Sequence, residues 1–375
     1  MASFIYNRPP PTGFCVARDG PVDQSMPVLP LLLKPESYRP CIQNLLTDGP
    51  EVQDYWLTLF ERHLETLARL PLGDSSFDQQ AVWPEFSRSY LAGLAAIRER
   101  PDLRGRLTVL ELTIYREEQF AAHGIHDPFL DLKHRENELA LELYAAVVAE
   151  VDSAAPGERI DLLARGLFAG NLFDMGSRAV VEAFESGTFD FRSARQRLRP
   201  RPWPIDHLDG WKDRLAQGRY RRAIFFVDNA GPDILLGAIP MARELADRDI
   251  HVVLAANTRP ALNDITADEL TALLPRLMEL DTKLSDLVRR ELISIVETGC
   301  GAPLIDLADL SGPCCRAAEQ SDLLVLEGMG RAIESNFDAA FKVDTLKLAL
   351  IKDRMVADVI GVKLMDPIFR FDPAP

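Results

Sequence analysis

The apolar and polar positions of this chain change rhythm near residue 221. Between residues 50 and 187 apolar side chains recur at helical spacing. In VQDYWLTLFERHLETLARL, for example, Trp56, Leu57, Phe60, Leu64, Leu67 and Leu70 line one face. NELALELYAAVVAEV and ERIDLLARGLFAGNLFDMGSRAVVEAF continue the helical reading. From residue 221 short apolar runs alternate with amphipathic ones. Strands are expected at 222–228, 251–256, 292–297, 322–327, 346–351 and 362–370, with helices at 232–247 and 266–280. Thr266-Ala267-Asp268-Glu269 has the form of a capping box. This alternation predicts an α/β fold: a mainly parallel sheet with flanking helices, preceded by an all-helical N-terminal part. The expected divisions are a loose, Pro- and Gly-rich arm (1–30), a helical domain (31–190), a basic, Pro-rich connector (191–220) and an α/β core (221–375).

Three of the expected strands end in the same way. FFVDNAGPDILLG runs from Phe225, Phe226 and Val227 into Asp228 and Asn229, and Pro232 suits the first turn of the next helix. HVVLAANTRPALNDIT runs into Asn257, Asn263 and Asp264, and SDLLVLEGMGR into Glu327, Gly328 and Gly330. Open α/β sheets bind ligands beyond the carboxyl ends of their strands. Oxygen ligands gathered there suit a hard divalent cation.

Asp228, Asn229 and Asp264 are therefore the expected metal ligands, suited to Mg²⁺ or Mn²⁺ and, less ideally, Co²⁺ or Ni²⁺. The same residues also suit an Asx turn and a helix cap. Asp233, one helical turn after Asp228, is placed to orient or deprotonate a metal-bound water, and equally suits a first-turn position favoured by the helix dipole. The backbone N–H groups behind Gly231 offer an anion site. Lys352 ends an apolar strand and is the expected phosphate-binding cation, with a solvated strand-end lysine as the alternative; Lys342 and Lys347 are weaker candidates. Asn171 and Asp174, at i and i+3 in an apolar helix, need partners that an interdomain cleft would provide, a satisfied buried Asn being the alternative. With Asn257 and Glu327 they complete the expected substrate-binding set.

Charge and cysteine content narrow the function classes. A formal charge of −15 repels phosphate backbones and anionic membranes, so neither nucleic acid nor a membrane surface is an expected partner. It also makes a placed cation necessary for any anionic substrate. Five cysteines without a CxxC pair point to a reducing compartment. No signal-peptide pattern opens the sequence and no apolar run reaches membrane-spanning length, so a cytoplasmic location is expected. EGMGRAIESN lacks the full GxGxxG fingerprint and the Walker Lys-Ser/Thr, which excludes dinucleotide-binding and P-loop readings. His123 and His126 have metal-compatible spacing, but no second cluster accompanies them. No GxSxG elbow, Cys–His pair or aspartyl-nucleophile motif is present, so a phosphatase on this chain would use metal-activated water.

Together FFVDNAGPDILLG, VVLAANTRPALNDIT, LVLEGMGRAIESN and LKLALIK resemble the metal-dependent damage-control phosphatases. GLFAGNLFDMG and VLPLLLKPESYRPC resemble the branch related to the phosphatase domain of pantothenate kinase-like proteins. The resemblance covers about residues 25 to 372. It implies a helical part packed on an α/β sheet, metal ligation by Asp228, Asn229 and Asp264, phosphate contact by Lys352, and site roles for Asp233, Asn171 and Glu327. The implied activity is hydrolysis of small phosphorylated metabolites, here 4′-phosphopantetheine and its oxidised forms; sugar phosphates are a further substrate class to consider. No kinase module is expected within these 375 residues. Two rival functions are a methyltransferase acting on protein carboxylates, whose Gly-rich adenosine-binding turn is missing, and a non-catalytic metabolite-binding regulator. The oligomeric state is not set by the sequence.

Overall fold

A computed structural model describes residues 27–69, 78–172 and 191–375. Most of the expected N-terminal arm, and Asp174, lie outside these residues. The sheet has seven strands: β1 (Ile205–Asp206), β2 (Arg222–Phe226), β3 (His251–Ala256), β4 (Ile293–Glu297), β5 (Leu323–Glu327), β6 (Asp344–Leu350) and β7 (Pro367–Asp372). Their order is β1-β7-β6-β5-β2-β3-β4. All neighbours are parallel except β6 and β7.

From β2 the chain winds outward through β3 and β4, then crosses back to β5 and continues the other way. The strand order therefore switches between β2 and β5. Their adjacent carboxyl ends open the crevice in which such sheets place a site.

The expected strand positions hold for β2 to β6. The last strand begins later than expected, at Pro367 rather than 362, because Gly361 closes the preceding helix in a left-handed conformation. Gly361 to Asp366 then forms the turn that brings β7 back antiparallel to β6. The stretch expected to be a connector carries β1 and two helices, Phe191–Arg197 and Leu208–Ala216. The helix expected from residue 232 opens as a π-helical turn, Asp233–Ala238, before Ile239–Asp247 continues as α-helix.

The N-terminal helices are α1 (Pro50–Leu67), α2 (Gln79–Glu99), α3 (Val109–Ala122), α4 (Leu130–Ser153) and α5 (Pro156–Leu172). They divide between the two faces of the sheet. Alternate residues of β2 explain how. Ile224 and Phe226 enter a core with Trp56, Phe60, Tyr90 and Phe120 from α1 to α3. Phe225 joins Tyr144, Leu163, Leu167 and Phe168 from α4 and α5 on the other face. The helical part is thus built into the two outer layers of one three-layer arrangement. No helix among the described residues is long and apolar enough to cross a membrane.

Candidate active site

The loops after β2 and β3 are laced together at the crevice. Asn229 and Asp264 form an isolated antiparallel bridge. Ala230 N–H donates to the Asn263 carbonyl at 2.9 Å, and Ile265 N–H to the Asp228 carbonyl at 3.0 Å. The capping box is formed as expected: Thr266 N–H donates to Glu269 Oε2 and Glu269 N–H to Thr266 Oγ1, which fixes where the second loop enters its helix.

Four buried carboxylates converge here: Asp228, Asp233, Asp264 and Glu327. One oxygen each of Asp228, Asp233 and Glu327 lie within 4.8 Å of one another. Asn171 Nδ2 donates to both Asp228 Oδ2 (3.2 Å) and Asp233 Oδ2 (3.1 Å). Asn229 Nδ2 donates to the same two atoms at 2.9 and 2.8 Å. Glu327 Oε2 accepts the Asp228 N–H at 3.0 Å. Asn171 can reach so far because α5 runs against the backbone of the π-helical turn: a Cβ on Gly170 would lie 2.7 Å from Asp233 Cα.

Asp264 stands on the other side of Asp228, with Arg331 between them. The guanidinium bonds Asp228 Oδ1 through NH1 and Asp264 Oδ2 through NH2, the latter at 2.7 Å. Asn257 is fully buried behind Asp264, donating to Asp264 Oδ2 at 2.9 Å and to the Ala302 carbonyl at 3.2 Å. Lys352 reaches from the end of β6 and donates to the Asn171 carbonyl at 3.2 Å.

A cleft of about 380 Å³ opens onto this cluster, between α1 and α3 on one side and the strand ends on the other. Asp228, Asn229, Asn263, Asp264, Glu334 and Lys352 line it, facing Trp56, Phe60, His63 and Arg116. Of the described members of the expected substrate set, Lys352 borders the cleft, while Asn171, Asn257 and Glu327 lie in the layer beneath it. Lys342 and Lys347 are elsewhere: Lys342 donates to the Pro30 carbonyl, and Lys347 to the carbonyls of Phe337 and Ala339. His123 binds the Gln119 carbonyl of its own helix.

The amides that lead up to Gly231 are already used. The N–H of Asp228 goes to Glu327, that of Asn229 to Asp233, that of Ala230 to the Asn263 carbonyl, and that of Gly231 to Asn137 Oδ1 at 2.7 Å. The reason is local: a loop this deeply buried must satisfy its own amides, and the surrounding side chains do so.

Burial dominates the electrostatics. It pushes Asp233 up to about 6, with the Asp228 charge adding to the effect. Asp264 is pushed up to about 7 by burial against the opposing pull of Arg331. Burial, with Asp233 and Asp228 beside it, holds Glu327 well above the ordinary carboxylate range. Four carboxyl groups around one guanidinium would carry an excess of negative charge if all were ionised, and their raised values reflect that crowding. Asp233 Oδ1 and Asn171 Oδ1 are buried with no hydrogen-bond partner. Orphaned oxygens within an acidic cluster are what an oxygen-loving cation would satisfy, so the donor set fits a divalent metal.

Two features escaped the sequence reading. Arg331 is four residues beyond Glu327, the first cation after a strand that ends in the crevice, and that position was its only signal. Lys133 and Asn137 lie one turn apart on α4, both buried, and grip the two loops from below. Lys133 Nζ is within 2.8 Å of Asp127 and 2.6 Å of Glu269, and also approaches the Asp264 carbonyl at 3.5 Å. Polar residues in an amphipathic helix read as surface until their partners are seen.

The family model of the damage-control phosphatase ARMT1-like domain matches residues 52–368. A damage-control phosphatase of Arabidopsis thaliana is 34% identical, over 92% of this chain and 96% of its own length. The 4′-phosphopantetheine phosphatase of Mus musculus is 32% identical, over 92% of this chain and 48% of its own. The chain spans less than half the length of several of the curated relatives it matches. A DUF89 family protein from Pyrococcus horikoshii shares the fold, with a TM-score of 0.62 at 16% identity, over 86% of this chain and 97% of that one. The chain belongs to the family of damage-control phosphatase ARMT1-like domains.

Proposed function

We propose that this chain is a cytoplasmic, divalent-metal-dependent phosphomonoesterase acting on small phosphorylated metabolites. The observation that carries the reading is the set of carboxylates at the β2–β5 switch point, open on one side to a cleft bordered by Lys352. Asp228, Asn229 and Asp264 would hold Mg²⁺ or Mn²⁺, with Asp233 and Glu327, whose oxygens gather within 4.8 Å of each other and of Asp228, close enough to share it. The bound cation would supply Lewis acidity and a more acidic water.

The chain's own residues account for the rest. Arg331 ties one oxygen of Asp228 and one of Asp264, which fixes how both carboxylates present themselves. Asn171 and Asn229 hold Asp228 and Asp233 in register. Asp233 is placed to take or orient a proton from below. Lys352 would meet the transferring phosphoryl oxygens and offset the charge that grows on them.

The cleft's far wall bears on substrate class. Trp56, Leu59 and Phe60 give it an apolar surface, which Leu262 and Leu304 extend from the strand-end side. That apolar stretch suits an elongated, weakly polar group, with Arg62, His63 and Arg116 beside it to meet its polar ends. This supports 4′-phosphopantetheine and its oxidised forms over sugar phosphates.

The test is phosphate release from 4′-phosphopantetheine and several sugar phosphates, after EDTA treatment and after adding back Mg²⁺, Mn²⁺ or Co²⁺. Metal-restored turnover is expected, with preference for the pantetheine ester. Silence across the panel with Mn²⁺ bound would refute the phosphatase reading, and stimulation by S-adenosylmethionine would replace it with the methyltransferase.

A further inference from the structure

We propose that Glu334 is the general acid of this site, protonating the oxygen of the leaving alcohol as its bond to phosphorus breaks. The proposal rests on the phosphomonoesterase reading above and adds a residue that neither the expected substrate-binding set nor the metal set names.

Glu334 ends the π-helical turn Met329–Glu334 that follows β5. It is only 7% exposed, and what remains exposed borders the same cleft as Asp228, Asn229 and Lys352. Its main-chain carbonyl accepts the Ile42 N–H at 2.8 Å, yet its carboxyl has neither a hydrogen bond nor an ion pair among the described residues. A carboxyl that is nine-tenths buried, unpartnered and facing a ligand cleft is costly to maintain. A substrate oxygen would give it the partner that the fold withholds.

The turn around it is rigid. Arg331 is fixed to Asp228 and Asp264. Asn336 Nδ2 donates to the Arg331 carbonyl at 2.9 Å, Tyr38 Oη donates to Asn336 Oδ1 at 2.8 Å, and Ile305 N–H donates to Ser335 Oγ at 3.1 Å. Glu334 is thereby held at a fixed distance from the ligand cluster, as an acid in a preorganised site must be.

Its surroundings keep it protonated near neutral pH. Burial pushes it up to about 8; Asp353 and Asp228 push the same way, and Lys352 opposes them. Across the cleft it faces Arg62, His63 and Arg116 from α1 and α3. Asp233 and Glu327, by contrast, lie beneath Asp228 and outside the cleft lining, where no leaving group would reach them.

The step balances without a further reagent. Water oxygen forms the new bond to phosphorus, and the bond to the leaving oxygen breaks. That oxygen keeps the electron pair and takes the Glu334 proton, departing as an alcohol. The proton of the attacking water ends on the phosphate product or in solvent, and Glu334 is reprotonated from the cleft.

The test compares parent and Glu334→Gln on two substrates, an alkyl phosphate and p-nitrophenyl phosphate, with saturating Mn²⁺. Nitrophenolate leaves well unprotonated; an alkoxide does not. Expected is a drop of about 10²- to 10³-fold in kcat on the alkyl ester and a loss under about tenfold on the aryl ester. The fall in parental kcat/KM above about pH 8 should also vanish in the variant. Melting temperature at pH 6 and Mn²⁺ binding establish that the variant is folded and loaded. Equal losses on both esters, or none on the alkyl ester, would overturn the role of Glu334. A parent inactive on both esters with Mn²⁺ bound would overturn the phosphatase reading itself, and Glu334 with it.

Discussion

Adding one methyl group at Gly328 should damage the site through Asp228. Gly328 follows Glu327 at the end of β5, with φ 96° and ψ 148°. This conformation is essentially restricted to glycine, and any other residue there costs about 1–3 kcal/mol in backbone strain. A Cβ would also fall inside the space of the Asp228 carboxylate. The carboxylate would have to rotate away from Arg331 and from the amides of Asn171 and Asn229. Each hydrogen bond to a charged group contributes about 1.5–3 kcal/mol, so losing even one brings the expected cost of Gly328→Ala to about 3–5 kcal/mol. Gly361 supplies the control. It too has a positive φ, 73°, but nothing lies within 4 Å of its Cβ position. Gly361→Ala should cost only the left-handed strain, about 1–2 kcal/mol. Urea denaturation of the metal-free proteins would measure both, and Mn²⁺ titration followed by electron paramagnetic resonance would report the ligand. Expected for Gly328→Ala alone is a loss of about 10- to 100-fold in Mn²⁺ affinity, the size typical when the support of a ligand is disturbed. Equal destabilisation of the two variants with unaltered Mn²⁺ binding would refute the placement of Asp228.

Lys133→Met would strand Asp127 and Glu269 without their shared cation; a loss of about 3–5 kcal/mol is expected from the urea midpoint. Glu334 should leave a pH signature in stability. Because its folded value is raised, the folded state retains a proton that the unfolded chain releases, so its contribution is lost as pH climbs from the ordinary glutamate range to about 8, at no more than about 1.4 kcal/mol per unit. The melting temperature of Glu334→Gln relative to the parent should therefore rise across that window and level off above it; a difference independent of pH would contradict this. Lys352→Ala should lower kcat/KM on phosphomonoesters by about 10²-fold through weaker stabilisation of the phosphoryl group, and unchanged kinetics would remove it from the site.

What the sequence disclosed depended on the range over which each signal acts. The strands and the capping box were legible because each is written in a few consecutive residues: an apolar run stopped by Asp or Asn, or Thr266 followed by Glu269. The direction of β7 was not, because it depends on how the six-residue turn Gly361 to Asp366 folds. The split of the helical part over both sheet faces was also hidden. Helical periodicity in α1 and α4 states that one side is buried, but not against which face. Arg331 and Glu334 were invisible as a pair for a related reason. Both lie on a π-helical turn, whose spacing differs from the helical repeat by which side chains are assigned to a face.

The helical part does more than cover the strand ends, because the acidic cluster could not hold its geometry alone. Asp228, Asp233, Asp264 and Glu327 repel one another, and the α/β portion answers them with Arg331 and Lys352. What remains is orientation, and its donors come from outside the sheet. Asn171 on α5 spans Asp228 and Asp233. Asn137 on α4 holds Gly231, and Lys133 one turn earlier ties the entry to the helix after Asp264. These side chains come from helices whose apolar faces complete the core against β2. The packing that buries α4 and α5 therefore also aims the amides and the ammonium at the two loops. A substitution that loosens either helix will act on the chemistry through those loops, even where it touches neither ligand nor substrate.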